Sequence, residues 1–141
     1  MSIVGPSIPG ARVLDLFAGS GALGLEALSR GAEAVDFVEL APASVATLRD
    51  NIDSLGAGAA TTVHRADAMG FVEKLPARAY NIAFADPPYD RTFATRLAEH
   101  WLAVPFADIL GIEHRVDEHP PGEPERRRYG GTVVSFLRVE V

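Results

Sequence analysis

A glycine-rich turn directly after a short apolar run constrains this chain more than any other feature. Residues 11–16 read as a buried strand, and residues 19–24 fit the pattern G-x-G-x-x-G at the start of a helix. Glycines there allow a tight turn and let a ligand approach the bare backbone. Glu39 lies at the end of the next predicted strand, where a carboxylate can accept hydrogen bonds from both hydroxyls of a ribose. The pattern predicts a strand–turn–helix unit that binds a nucleoside.

The glycine turn alone fits either a dinucleotide or S-adenosylmethionine, and Asp15 favours the second ligand. A carboxylate at the end of the first strand attracts the cationic aminopropyl group of S-adenosylmethionine but repels a pyrophosphate. The alternative is that Asp15 caps the following helix. Asp67 has the same two possibilities, since it can accept from the adenine amine or cap a helix. Leu40 can pack on the adenine or belong to the core.

A second motif, Asp86-Pro87-Pro88-Tyr89, follows an apolar run over residues 80–85. The lone pair of an exocyclic amine on a base is delocalised, and acceptors that hold both N–H bonds favour the geometry needed for attack on a methyl group. The Asp86 carboxylate and the Pro87 carbonyl are such acceptors, because proline fixes the corner and removes an N–H donor. Tyr89 can stack on the base. We therefore predict methyl transfer to an exocyclic nitrogen.

The order of predicted elements indicates a doubly wound α/β sheet with an antiparallel edge. We treat residues 1–141 as one domain with an irregular start over residues 1–10. The predicted strands cover 11–16, 34–40, 61–65, 80–85 and 108–113, followed by a hairpin over 126–129 and 132–141. The predicted helices cover 22–29, 42–55, 71–75 and 92–102.

Composition narrows the function classes. The chain has no cysteine and its four histidines show no ligand spacing, so we expect no metal site. We also expect no membrane segment, and a cytoplasmic protein. A net charge of −6 argues against a purely electrostatic nucleic-acid binder, although Arg126, Arg127 and Arg128 are consecutive. These arginines either protect an edge strand or contact RNA. Glu113 and His114 end the fifth strand and could border the site.

The two motifs together resemble class I S-adenosylmethionine-dependent methyltransferases with a D/N-P-P-Y/F motif. Residues 13–32, residues 85–89 and the ending Arg128-Tyr129-Gly130-Gly131-Thr132 are similar to the bacterial 16S rRNA guanine-N2 methyltransferase family, the RsmD type. This resemblance implies a Rossmann-like sheet of seven strands whose last strand is antiparallel. It also implies Glu39 on the ribose, Asp67 on the adenine, and residues 86–89 on the target guanine.

The resemblance thus implies an enzyme with S-adenosyl-L-methionine as methyl donor and S-adenosyl-L-homocysteine as product. The expected partner is 16S rRNA or the small ribosomal subunit, bound by a monomer with a possible RNA contact at Arg126 to Arg128. The expected catalytic residues are Asp86, Pro87, Pro88 and Tyr89. The expected cofactor-binding residues are Asp15, Phe17, Ala18, Gly19, Gly21, Glu39, Leu40, Asp67, Ala68 and Asp86.

One departure from the family pattern leaves alternatives open. The family carries a basic, arginine-rich segment before the first strand, whereas only ten residues precede the predicted strand here. We therefore expect an N-terminally truncated form that binds cofactor but binds RNA weakly. The alternatives are another amine or amide methyltransferase, acting on DNA adenine or protein glutamine, and a cofactor-binding form with little activity. A nicotinamide-dependent dehydrogenase would leave residues 86–89 without a role.

Overall fold

The computed structural model describes residues 4–88 and 92–140, which form one sheet of seven strands flanked by helices. The strands are β1 (Arg12–Leu16), β2 (Ala34–Val38), β3 (Thr61–His64), β4 (Tyr80–Ala85), β5 (Ala107–Arg115), β6 (Glu125–Tyr129) and β7 (Thr132–Arg138). The helices are α1 (Ala22–Ser29), α2 (Pro42–Ser54), α3 (Ala68–Val72) and α4 (Phe93–Ala103), with short 3₁₀ turns at Gly5–Ser7 and Gly58–Ala60.

The strands lie in the order β3-β2-β1-β4-β5-β7-β6. Strands β1 to β5 pair in parallel, whereas β7 pairs antiparallel with both β5 and β6. The predicted doubly wound sheet with an antiparallel edge is therefore confirmed. Strand β1 lies at the point where the strand order reverses, with β2 on one side and β4 on the other. Ligands of such sheets bind at this point, outside the carboxyl ends of the strands.

Each face of the sheet is covered by its own pair of helices, because successive strand residues point to opposite faces. On one face, which we call the α1 face, Val13, Val35 and Phe37 pack with residues of α1 and α2 such as Ala27 and Leu48. The opposite α4 face is buried by α3 and α4. Its core contains Leu14, Leu110, Val72, Leu97 and Trp101. Burial on both faces explains why the parallel strands are nearly all apolar.

Most predicted elements agree with the structure within two residues, and α1 and β4 agree at both ends. Helix α3 differs, because it begins at Ala68 rather than at residue 71. The carboxylate of Asp67 accepts a hydrogen bond from the Gly70 N–H at 2.9 Å and caps the helix. This cap starts the helix three residues before the apolar pattern that predicts it.

The segment before β1 is more ordered than the sequence predicts. Val4 and Ile8 are completely buried and join the core of the α1 face, on either side of the 3₁₀ turn.

No helix within residues 4–88 and 92–140 has the length and apolar character to cross a bilayer. Within those same residues no cluster of histidine and acidic side chains is arranged to hold a metal ion.

Candidate active site

The glycine turn between β1 and α1 combines an open backbone with close packing. Gly19 has φ +56°, and a Cβ there would meet no atom within 4 Å, so its backbone is accessible to a ligand. Gly24 has the opposite surroundings, because a Cβ there would overlap the Phe37 ring and come within 2.8 Å of Val35 Cγ1. The first glycine therefore allows the turn and ligand approach. The last one allows α1 to lie directly on β2.

Glu39 ties the glycine turn to the start of α2. Its Oε1 accepts a hydrogen bond from the Gly19 N–H and its Oε2 accepts one from the Ala41 N–H, both at 2.9 Å. The carboxylate is thus held at the end of β2, with one oxygen on the glycine turn and the other on the start of α2. The neighbouring Leu40 is 58% exposed and leaves an apolar surface beside Glu39.

Phe17 and Ala18 give the turn its shape. Phe17 has φ +57°, a conformation that non-glycine residues rarely adopt and that occurs most often at functional turns. Its ring packs edge-on against Phe93 at the start of α4, with ring centroids 5.2 Å apart. The Ala18 N–H donates to the Val38 carbonyl, and the Ala18 carbonyl accepts from Gly21. These contacts within the protein fix the shape of the turn.

Asp15 is almost completely buried, with 2% of its surface exposed. Its Oδ2 accepts a hydrogen bond from the Gly24 N–H at 3.0 Å, so it serves the first turn of α1. Burial raises the pKa of Asp15 to about 7; the bond from Gly24 opposes this rise, and the charges of Asp86 and Glu39 add to it. The helix-terminus role that the sequence left open is thus seen directly, whereas a cofactor contact stays a prediction.

Asp86 and Glu113 lie side by side at the carboxyl ends of β4 and β5. The register pairs Ala85 of β4 with Ile112 of β5. The residues that follow them, Asp86 and Glu113, are therefore neighbours across the two strands. The two carboxyl groups are close enough for each to affect the pKa of the other. Burial is the main cause that raises the pKa of each, and the charge of Asp86 raises that of Glu113 further. Neighbouring carboxyl groups of this kind favour sharing a proton, because two like charges at short distance repel each other.

Four carboxylates from four adjacent strands line the same edge of the α1 face. The acidic row, as we name it, consists of Glu39 after β2, Asp15 in β1, Asp86 after β4 and Glu113 in β5. Residues two positions apart on a strand point to the same face of the sheet. Each acid lies two positions after a residue that points to the α1 face, and these residues are Phe37, Val13, Phe84 and Gly111. Asp15 pairs in register with Phe37 and Phe84. It therefore lies two residues further from the carboxyl edge of the sheet than Glu39 and Asp86 do.

A mainly apolar cavity of about 110 Å³ adjoins the Glu113 end of the acidic row. Its lining includes Leu23, Phe84, Gly111, Glu113, Tyr129 and Phe136. The sequence pointed to Glu113 only as a possible border residue, because nothing in a linear pattern sets the register of β5 against β4. An acidic residue at the carboxyl end of a buried strand was the one available signal.

The other predicted site residues fall into two groups. Asp67 is exposed and caps α3, while Ala68 is buried beneath it, on the far side of β2 from Asp86. Pro87 is buried and Pro88 is exposed directly after β4. Tyr89 lies outside the described residues, so its stacking role stays a prediction. The structure therefore gathers Asp15, Gly19, Glu39 and Asp86 at one edge.

The strand order, the open glycine turn and the acidic corner after β4 define a class I methyltransferase architecture. The chain matches the model of the family described as "Conserved hypothetical protein 95" over residues 1–136, and it belongs to that family. The resemblance to RsmD-type methyltransferases inferred from the motifs is thereby confirmed.

Relatives with curated names support the same assignment. Ribosomal RNA small subunit methyltransferase D of Escherichia coli (strain K12) is 44% identical over 142 residues, which cover 94% of this chain and 70% of that protein. The protein of the same name from Haemophilus influenzae is 35% identical over 86 residues, covering 60% of this chain and 45% of its own length. These relatives are methyltransferases by name, and none of these names indicates a dehydrogenase.

Solved structures confirm the fold. A conserved hypothetical protein of Streptococcus pyogenes superposes with a TM-score of 0.86 at 30% sequence identity, covering 99% of this chain and 92% of that one. A hypothetical protein from Thermus thermophilus gives a TM-score of 0.76 at 31% identity, covering 92% of this chain and 75% of the other. The predicted sheet of seven strands is therefore shared with experimental structures.

Proposed function

We propose that this protein transfers a methyl group from S-adenosylmethionine to the exocyclic N2 of a guanine in 16S rRNA. One observation carries the proposal: the Asp86-Pro87-Pro88 corner follows β4 directly beside the glycine turn of β1, on the same edge of the sheet. The ribosomal RNA methyltransferase name of the Escherichia coli relative supports the substrate. An rRNA substrate also favours a cytoplasmic location for the protein. We propose that the protein acts as a monomer.

The cofactor end of the site fits an adenosyl group. Each Glu39 oxygen accepts one backbone N–H, and a carboxylate oxygen can accept a second hydrogen bond, so both can still take a ribose hydroxyl. The open backbone at Gly19 leaves room for the ligand, and the exposed Leu40 offers an apolar surface for adenine. We further propose that Phe17, Ala18, Gly21, Asp67 and Ala68 border it.

At the substrate end of the site, Asp86 orients the target amine and accepts its proton. S-adenosylmethionine supplies an electrophilic methyl group when it is bound. The Asp86 carboxylate and the Pro87 carbonyl accept the two N–H bonds of the guanine N2 amine and turn its lone pair toward that methyl group. As the new N–C bond forms, the bond from carbon to sulfur breaks and the positive charge moves to nitrogen. The nitrogen then loses a proton, which Asp86 accepts and Glu113 helps to hold.

Arg127 is the arginine best placed to contact RNA near this site. Cross-strand partners share a face of the sheet, and the register pairs Glu113 with Val134 and Val134 with Arg127. Arg127 is exposed and lies on the α1 face, two strands from Glu113. Arg126 points to the α4 face and donates to the carbonyls of Glu118 and Val116. We therefore propose that Arg127 binds phosphate, and that Arg126 holds its own loop.

Product analysis tests the proposal. The full chain is incubated with isotopically labelled S-adenosylmethionine and with 16S rRNA or small subunits that lack the modification, and the RNA is digested to nucleosides for mass spectrometry. We expect labelled N2-methylguanosine. Asp86→Ala should retain fold and cofactor binding but lose most transfer, and Asp50→Ala, which changes an exposed acid on α2, should behave as the unaltered protein. Label on adenosine, or none with either RNA substrate, would show that the proposal is wrong.

A further inference from the structure

Glu113 has no role in methyl transfer as described so far beyond its contact with Asp86. It lies in β5, next to Asp86 across the β4–β5 pair, where neighbouring strands are about 4.8 Å apart. Its side chain is on the α1 face and is partly buried. Two carboxyl groups at this spacing repel each other unless a proton or another hydrogen-bond donor lies between them.

The cavity beside Glu113 has the character of a base-binding pocket. Its walls include the rings of Phe84 and Phe136, and Gly111 lets the Phe136 ring pack directly on the backbone of β5, since a Cβ there would lie 3.0 Å from that ring. Glu113 is the one charged side chain among the described residues that line it. Flat apolar walls with a single polar group are typical of sites that bind a flipped base.

We propose that Glu113 determines the base specificity of the enzyme by accepting the N1–H of guanine while Asp86 accepts an N–H of its N2 amine. This inference rests on the proposed function and names the residue that would select its substrate. Guanine presents the N1–H and N2–H donors side by side, so it can satisfy two adjacent carboxylates at once. The two donors replace the proton shared by the pair and allow both acids to be ionised.

Bases that lack the N1–H donor should be rejected. Adenine and 2,6-diaminopurine present a lone pair at N1, which would face the Glu113 carboxylate. The second of these bases keeps the amine at C2 and can still reach Asp86. It therefore isolates the contribution of Glu113 from the chemistry of the amine. A well-placed pair of hydrogen bonds discriminates between bases by about ten- to a hundred-fold.

The test compares two RNAs that differ at one nucleotide. Once the methylated guanosine has been mapped by the product analysis above, the same RNA is assembled by ligation with 2,6-diaminopurine riboside at that position. For the unaltered protein we expect kcat/KM on guanosine to exceed that on diaminopurine by about ten- to a hundred-fold. Glu113→Gln should lower this ratio at least tenfold, because a side-chain amide can present either an acceptor or a donor to N1.

Two controls keep the result decisive. Glu123→Gln changes an exposed acid outside the site and should keep the ratio of the unaltered protein. Glu113→Leu removes the acceptor altogether and should abolish the preference, provided that circular dichroism shows a folded protein; otherwise Glu113→Gln decides alone. An unchanged ratio in the folded variants would overturn the inference and leave the proposed function intact. No transfer to guanosine by the unaltered protein would overturn both.

Discussion

The Glu39 carboxylate accepts a hydrogen bond from the Gly19 N–H at 2.9 Å, and this bond joins the end of β2 to the glycine turn after β1. The residue proposed to hold the ribose is therefore fixed by backbone N–H groups of the protein itself. Fixing a binding group before the ligand arrives reduces the entropy lost on binding. The turn and the carboxylate act as one preformed unit.

Glu39→Ala should weaken cofactor binding by about ten- to a hundred-fold, because hydrogen bonds to a charged group contribute roughly 1.5–3 kcal/mol. Glu39→Gln keeps one acceptor oxygen and should lose less. Calorimetric titration with S-adenosylhomocysteine measures both. Glu26→Ala removes an exposed acid of α1 that forms an ion pair with Arg30, and this variant should bind the cofactor normally. Unchanged affinity in Glu39→Ala would contradict the ribose assignment.

Asp15 should make the protein less stable as the pH rises. Its pKa is 3.8 in the unfolded chain and about 7 in the folded protein. Between those values the folded protein holds a proton that the unfolded chain has released, so the free energy of unfolding falls with increasing pH. Asp15→Asn keeps an acceptor for Gly24 and should remove this slope, so that its stability relative to the unaltered protein is higher at pH 8 than at pH 5. Urea unfolding of both proteins at the two pH values measures the difference; a parallel change would refute it.

Gly24→Ala should destabilise the protein by about 1–3 kcal/mol, the usual cost of forcing an extra methyl group into a packed core. The new Cβ would overlap the Phe37 ring and push α1 off β2. Cofactor affinity should fall as well, because the turn is connected to the start of α1. Gly58→Ala is the matched control, since a Cβ there meets no atom within 4 Å. Equal unfolding midpoints for the two variants would show that α1 adjusts freely.

Arg127→Ala should weaken RNA binding and reduce the slope of log affinity against log salt by about one, as expected when one phosphate contact is lost. Its ion pair with Glu125, at 3.2 Å between exposed side chains, contributes little to stability. Arg126→Ala is the comparison, and it should leave the salt slope unchanged while loosening the loop before β6. Filter binding across a salt series measures the affinity and the salt slope of both variants. A larger loss in Arg126→Ala than in Arg127→Ala would place the RNA on the α4 face.

The sequence predicted the sheet well because local patterns decide most of it. The apolar run of β4 and the turn before α1 each specify their own element, and both agree with the structure at their ends. Functional roles were harder to predict wherever one residue type is compatible with two different roles. Asp15 and Asp67 both hold helix termini, and the sequence left that possibility open beside a cofactor contact. The contact between Asp86 and Glu113 depends on the register between two strands far apart in the chain, which no local pattern encodes.

The acidic row has a consequence for the order in which substrates bind. The acidic row keeps a negative charge even with a raised pKa at Asp15 and a proton shared by Asp86 and Glu113, and in a chain of net charge −6 it repels the phosphates of RNA until a cation occupies it. S-adenosylmethionine carries sulfonium and ammonium groups, whereas S-adenosylhomocysteine has lost the sulfonium charge. We therefore expect ordered addition, with the methyl donor first, and a weaker hold on RNA after transfer. RNA should bind more tightly to the complex with sinefungin, a cationic analogue, than to the complex with S-adenosylhomocysteine; equal RNA affinities would exclude a charge-controlled order.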